Sequence, residues 1–378
     1  MERFFVKDSQ KTVLTDASAL QLRSDRKLGF TSYKNATILP QSGVFLSGGV
    51  CAENGDYVKS TSFVEGLYDG SYPFSEEEVE VRHKYAVFLG SWFPVYGHAI
   101  TDNISRLWFL FSEDFKKIKE EAESEGRELD LVYVYLKGNM DLAGYNRDIV
   151  SAAGINPDSL TRIGRIARYD NVYIPDCSLI PADESTRLFT GEFRFVVDKI
   201  CINCRSDESL PEKVYLTRTG INDGKDFGEK ALERIFEQRG YQVVSPESLS
   251  FSKQVALMQH CKSVVATEGS VAHNALFCND GTELIILRKT DAFNQYTSLI
   301  NSVRNLDYKY IEANHTRISR VPWGGHFFLW RTKYLNKYLG CGFSEKSRWC
   351  SLLWYKYLWA YFKFENRPAI QNIKNAFK

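Results

Sequence analysis

At 378 residues the chain is longer than a single core usually organises, since cores stop growing near about 250 residues. Its 48 Lys and Arg against 47 Asp and Glu leave a net charge of +1, which excludes the large basic excess of a dedicated nucleic-acid binder. Hydrophobic content of 44% with 25% charged residues is that of a soluble globular protein, and no run of about 18 apolar residues is present to span a bilayer. The opening MERFFVKDSQKTV lacks the apolar core of a signal peptide. Of the 8 cysteines only Cys201 and Cys204 have metal-ligand or redox spacing, and no second pair accompanies them. Free thiols in a reducing cytoplasm are expected.

Residues 1–80 read as strand and turn material, with short strands at 36–40 and 42–49 bounded by Gly and Pro. A buried strand follows at 85–89. Residues 102–111 then show helical periodicity, with Ile104, Leu107, Trp108 and Phe111 on one face. The charged stretch 113–130 reads as a solvated surface helix. Strands at 130–136 and 171–175 flank a short helix, 146–153, closed by Gly154. Strands alternating with helices imply a parallel sheet covered by helices.

A second α/β run begins after residues 201–211, which read as the interdomain segment. Strands at 213–218, 241–244, 264–265 and 283–287 alternate with helices at 227–240, at 250–261 (capped by Ser250 or Ser252) and through Phe277. This order is a Rossmann-like half. The expected organisation is therefore α/β: Rossmann-like domains at 1–200 and 201–320 facing a ligand cleft, then a C-terminal helical region at 321–378.

In such a sheet, ligands sit at the carboxyl ends of strands and anions at helix N-termini. Arg218 ends a strand and Lys225 lies just beyond; fixed cations there would hold a diphosphate, although Lys225 equally suits a surface salt bridge. In Thr267-Glu268-Gly269-Ser270 the backbone N–H groups of Gly269, Ser270 and Val271 would open the next helix. Gly269 lets a phosphate approach and Ser270 adds a hydroxyl. Glu268 repels phosphate, so it either grips ribose or sugar hydroxyls or is an incidental acid beside a capped helix. His273, one turn further, either reaches a donor phosphate or is buried. In the first half His98 and Asp102 are four apart and share a helix face, a general-base arrangement. The bland alternative has Asp102 capping a helix and His98 packed under a loop.

These segments together resemble glycosyltransferase family 61. The stretch 96–107, YGHAITDNISRL, is similar to the family's G-H-W-x-x-D-x-L-P-R-L segment, and 215–218, YLTR, to its Y-[IL]-x-R strand. LSFSKQ at 249–254 resembles L-S-F-x-x-Q. TEGSVAHNALF at 267–277 resembles G-x-H-G-A-G-L-x-N-x-L-F, and DGTELII at 280–286 resembles P-G-T-x-[VL]-I-E. Ordered and plausibly spaced, the matches extend over roughly residues 85–290. Ala99 stands where the family shows tryptophan, Ser105 where it shows proline, and Glu268-Gly269-Ser270-Val271 replaces the H-G-A-G core.

The resemblance implies an inverting transferase of the two-domain GT-B type. It would move a sugar from a nucleotide diphosphate, UDP-linked, to a hydroxyl of a glycan or lipid-linked acceptor. No D-x-D occurs in a convincing loop, so Arg218, Lys225 and the helix start, with no metal, would stabilise the leaving diphosphate. Asp102 and His98 are the base candidates, Asp102 ahead because an ionised carboxylate needs no pKa adjustment at neutral pH. Glu268, Gly269, Ser270, His273 and Asn274 fall in the donor segment, Tyr96 and Arg106 in the acceptor segment.

Residues 327–334 and 348–363 interleave Trp and Tyr with Lys and Arg, as an interfacial membrane helix requires. The alternative is a last helix folding back to pack its aromatics on the first domain. The leading reading is a cytoplasmic glycosyltransferase peripheral to the inner face of the membrane, contacting anionic lipid and building a surface polysaccharide or glycolipid. A non-catalytic sugar-binding or assembly protein on the same scaffold is the runner-up. A Rossmann-type nucleotide enzyme such as an epimerase is third, without a G-x-G-x-x-G after any early strand.

Overall fold

The computed structural model describes residues 2–64, 69–136, 142–183, 186–221, 226–314, 326–341 and 352–366. The chain is mixed α/β and forms two compact units. The first unit holds residues 22–206 with 251–256; the second takes residues 1–21, 207–250 and the chain from 257 onward. The first 21 residues thus leave the expected 1–200 domain, for a physical reason. The strand Phe4–Phe5 pairs in parallel with Asp307–Glu312, Phe4 stacks on Tyr310 at 6.3 Å, and the Lys7 N–H donates to Glu312 Oε2 at 3.0 Å.

The first unit is built on a six-stranded sheet in the order Gly49–Cys51, Phe30–Leu39, Ala167–Pro175, Glu80–Trp92, Leu129–Tyr135, Leu160–Arg162. Phe30–Leu39 runs antiparallel to both neighbours, while the four strands beyond it are mutually parallel. Phe88, Val132, Val134, Val172 and Ile174 are buried in its core, the near-continuous apolar runs expected of strands covered on both faces. The helix Glu113–Ser124 starts where the Ser112 hydroxyl accepts the Phe115 N–H at 3.1 Å, with two acids in its first turn. It buries only Ile118 and Ala122 and leaves its charges in water. A hairpin of Leu179–Pro181 and Arg187–Phe189 adds a small second sheet.

Two expected elements differ here. Residues 42–48 form a turn in which Leu46 and Gly48 take φ of 60° and 118°, so the strand begins only at Gly49. The helix expected over 102–111 is instead two 3-10 turns, Asp102–Ile104 and Leu107–Phe111. The Ser105 carbonyl accepts from the Ser178 N–H at 2.8 Å and its hydroxyl at 2.6 Å, which takes it out of the helical ladder. The Phe109 N–H falls back on Arg106 O at 3.2 Å.

The second unit carries an all-parallel six-stranded sheet in the order Phe4–Phe5, Asp307–Glu312, Glu283–Arg288, Ser263–Thr267, Lys213–Leu216, Gln242–Val244. From Lys213–Leu216 the chain steps outward to Gln242–Val244, then reverses to Ser263–Thr267 on the other side. The sheet therefore has a topological switch point between Lys213–Leu216 and Ser263–Thr267, the place where open α/β sheets hold ligands. Leu232 and Phe236 of the helix Glu229–Glu237 pack on Tyr215, Val265 and Ile285.

The helix Leu352–Glu365 seats Trp354, Tyr357 and Tyr361 on Phe328, with Phe227 and Trp330 beside them. Its platform is the two-stranded sheet of Asp226–Phe227 and Phe327–Phe328, so these aromatics pack within the second unit. Among the described residues no helix is long and apolar enough to cross a membrane.

Candidate active site

In the first unit the strand Glu80–Trp92 loses register with Leu129–Tyr135 between Phe88 and Ser91, and Gly90 sits there at φ 123°. That bulge turns the strand end towards a cleft lined among others by Ser91, Asp102, Arg106 and Arg187. Beyond the strand come the short helix Tyr96–Ala99, which carries His98, and the turn that Asp102 opens. The His98–Asp102 pair thus forms across a break between two short helical turns. Its Nδ1···Oδ2 separation is 2.7 Å, and because a carboxylate only accepts, the imidazole N–H donates.

The Thr101 hydroxyl lies 3.0 Å from the same Oδ2, and Phe63 and Phe93 meet the imidazole edge-on at 5.2 and 5.5 Å. Buried Asn103 accepts the Phe93 N–H at 3.0 Å and donates to Phe93 O at 3.1 Å, pinning the loop that carries the pair. Tyr96 donates to Gln254 at 3.3 Å. Arg106, 3% exposed, donates to Ser60 O.

In the second unit the two loops at the switch point converge. Gly269 has φ 124°, a conformation that favours glycine, and a Cβ built there would lie 4.0 Å from Arg218 Nη1 and 3.8 Å from Lys289 Nζ. Gly269, Ser270 and Arg218 are half-buried and reachable from solvent. The Arg218 N–H is fixed on Glu229 Oε1 at 3.3 Å. Lys289, which the sequence reading missed, is paired with Asp226 at 3.6 Å and lies 4.7 Å from the centre of the Phe327 ring. It follows the strand Glu283–Arg288, the same position rule that singled out Arg218.

Much of the rest of this loop is interior. The segment after Gly269 is a six-residue 3-10 helix, Ala272–Phe277, too short for a developed helix dipole. Glu268 is fully enclosed and faces Arg288 at 3.7 Å, so it acts as an internal counter-ion and offers no oxygen to a sugar in this conformation. His273 and Asn274 are also interior. His273 stands 5.8 Å from the Tyr296 ring and 3.4 Å from Asn294, and Asn274 donates to Val271 O at 3.0 Å. Lys225 lies outside the described residues.

Among the described residues no three His, Cys, Asp or Glu side chains stand close enough to hold a metal ion, and no disulfide forms. Burial pushes the Cys204 thiol up to about 11, away from redox reactivity.

The acids behind the cations make this unit's stability fall as pH rises. Burial, reinforced by Asp226, pushes Glu229 up to about 8; burial pushes Glu268 up to about 7, with Arg288 and Lys289 only partly opposing it. Between the ordinary value of 4.5 and about 8 the folded chain holds protons that the unfolded chain has released. Stability is therefore greatest at the acid end of that window and declines across it. The melting temperature is expected to drop by a few degrees from about pH 5 to 8, and Glu229→Gln to flatten that drop. A Glu229→Gln protein with the wild-type slope would show that another group is responsible.

A mixed α/β chain with cations at its switch point and a His–Asp pair beside a cleft suits group transfer. The sequence profile of the family described as Glycosyltransferase 61 matches residues 96–285, half of the chain, and takes in the His98–Asp102 pair, Arg218 and the Gly269 loop. The chain belongs to glycosyltransferase family 61 and is a glycosyltransferase, acting between a donor and an acceptor. No curated protein matches it.

Proposed function

We propose that the protein transfers a sugar, with inversion and without a metal, from a nucleotide-diphosphate donor to a hydroxyl of a glycan or lipid-linked acceptor. In this reading the two units are the halves of a GT-B enzyme: residues 22–206 bind the acceptor and carry the base, and the switch-point loops of the second unit hold the donor. The observation that carries it is the meeting of Arg218, Lys289 and the open backbone at Gly269, a place where a diphosphate would find fixed positive charge and close approach. Asp102 takes the acceptor proton, because it lines the cleft while His98 steadies its Oδ2. The direct test is a melting shift of the full chain with UDP, CMP and other nucleotides. Stabilisation by a nucleoside diphosphate that disappears in Arg218→Ala supports the reading; no response to any nucleotide overturns it in favour of a sugar-binding protein.

We also place the enzyme in the cytoplasm against an anionic membrane face, assembling surface polysaccharide or glycolipid. The support is the outer face of the Leu352–Glu365 helix. Leu352, Tyr355, Trp359 and Phe362 are exposed along one stripe, flanked by Lys356 and by Lys363, whose ammonium lies over the Trp359 ring at 4.9 Å. Paired Trp359→Ala and Phe362→Ala changes are expected to lower co-sedimentation with phosphatidylserine-containing vesicles severalfold. Point changes are preferable to deletion, which would uncover Phe328. Unchanged sedimentation would end the proposal.

A further inference from the structure

The cleft beside Asp102 holds more positive charge than its surroundings offset. Arg106 and Arg187 both line it, only 3% and 5% exposed. Arg106 donates to Ser60 O through Nη2, and Arg187 Nη1 reaches the Asp183 and Thr186 carbonyls at 3.1 Å each. Arg106 Nη1 and Arg187 Nε are enclosed without a hydrogen-bond partner, and neither guanidinium meets a carboxylate among the described residues. A guanidinium cannot shed its proton, so enclosing two of them without counter-ions is costly. Asp102, the carboxylate in the same cleft, already receives His98 on Oδ2, and the Thr101 hydroxyl beside it is shared with Gly97 O at 2.8 Å. Ser91 spends its hydroxyl proton on Thr61 O at 2.9 Å, and the two arginines are the charged donors of the lining.

We propose that this cleft is an acceptor subsite for an anion, in which Arg106 and Arg187 hold the carboxylate of an acidic sugar or the phosphate of a glycosyl phosphate. Arginine forks match the oxygens of either group. Calling that molecule the acceptor rests on the transferase reading; the binding chemistry does not.

The test is calorimetric titration of the full chain, without donor, using methyl glucuronoside, glucose 1-phosphate and neutral methyl glucoside. At least one anion is expected to bind about tenfold or more tightly than the neutral glycoside, and which one does so identifies the source of the charge. Arg187→Gln should weaken that binding roughly 10- to 100-fold, the weight of one charge-assisted hydrogen bond, and Arg187→Lys should keep part of it. The same preference must survive in Arg218→Ala, which excludes the donor loop as the binding place. Equal affinity for neutral and anionic glycosides on the wild-type protein overturns the proposal, as does no anion binding or an Arg187→Gln protein that binds as before. Nucleotide stabilisation without anion binding removes this subsite and leaves the transferase reading intact; the reverse result removes the donor reading alone.

Discussion

Asp102→Asn is expected to cut turnover by roughly 10²- to 10⁴-fold while leaving nucleotide-induced stabilisation in place. The substitution keeps the shape of the side chain but removes its ability to take a proton. It also sets an amide where the His98 Nδ1–H donates at 2.7 Å, so that a wrongly turned amide would oppose donor to donor. His98→Ala should lose about 10²-fold, because the carboxylate then lacks the partner that fixes it beside the cleft. The aromatic walls at Phe63 and Phe93 keep the imidazole edge-on, so loss of the ring leaves a gap without unfolding the sheet behind it. Near-normal turnover in both variants would remove the pair from the mechanism.

Arg218→Ala is expected to reduce kcat/KM for the donor by roughly 10²- to 10³-fold, the range seen when a preorganised group facing developing charge is lost. The reasoning is positional. The backbone N–H of Arg218 stays bonded to Glu229 whatever the side chain, so the loop should survive the change and the loss should be electrostatic. Lys289 cannot fully substitute, since Asp226 already engages it and burial lowers its pKa. Arg218→Lys should recover only part of the rate, because an ammonium lacks the planar fork that fits phosphate oxygens. Steady-state kinetics at saturating acceptor would decide; a donor kcat/KM unchanged in Arg218→Ala would place the donor elsewhere.

Several strands of both sheets were legible because covered parallel strands are written as apolar runs, as at Leu129–Tyr135 and Glu283–Arg288, whereas Leu160–Arg162 is too short and Asp307–Glu312 too polar to read that way. The switch-point loops followed from strand order, and the His98–Asp102 pair from its spacing. What escaped had no local signature. Phe4–Phe5 is a strand only because Tyr310 and Ile311, some three hundred residues away, supply its partners. The periodicity of 102–111 was overridden by Ser178, which draws on the Ser105 carbonyl from a distant loop. Glu268 looked like a ligand because sequence shows polarity but not enclosure; Arg288 closes over it from the next strand. Arg187 reaches the cleft on a hairpin, and no pattern in residues 179–189 announces it.

The pairing of Phe4–Phe5 with Asp307–Glu312 also sets an order of events during synthesis. The edge strand leaves the ribosome before its partner and must wait for residue 312, and the whole first unit is made in the interval. That interposed unit can close on its own contacts while the second stays incomplete, with the Phe4–Phe5 edge lacking its mate. Refolding from denaturant removes this head start and makes the longest loop closure compete with everything else. Chains made vectorially should therefore reach the native state more cleanly than chains diluted from urea.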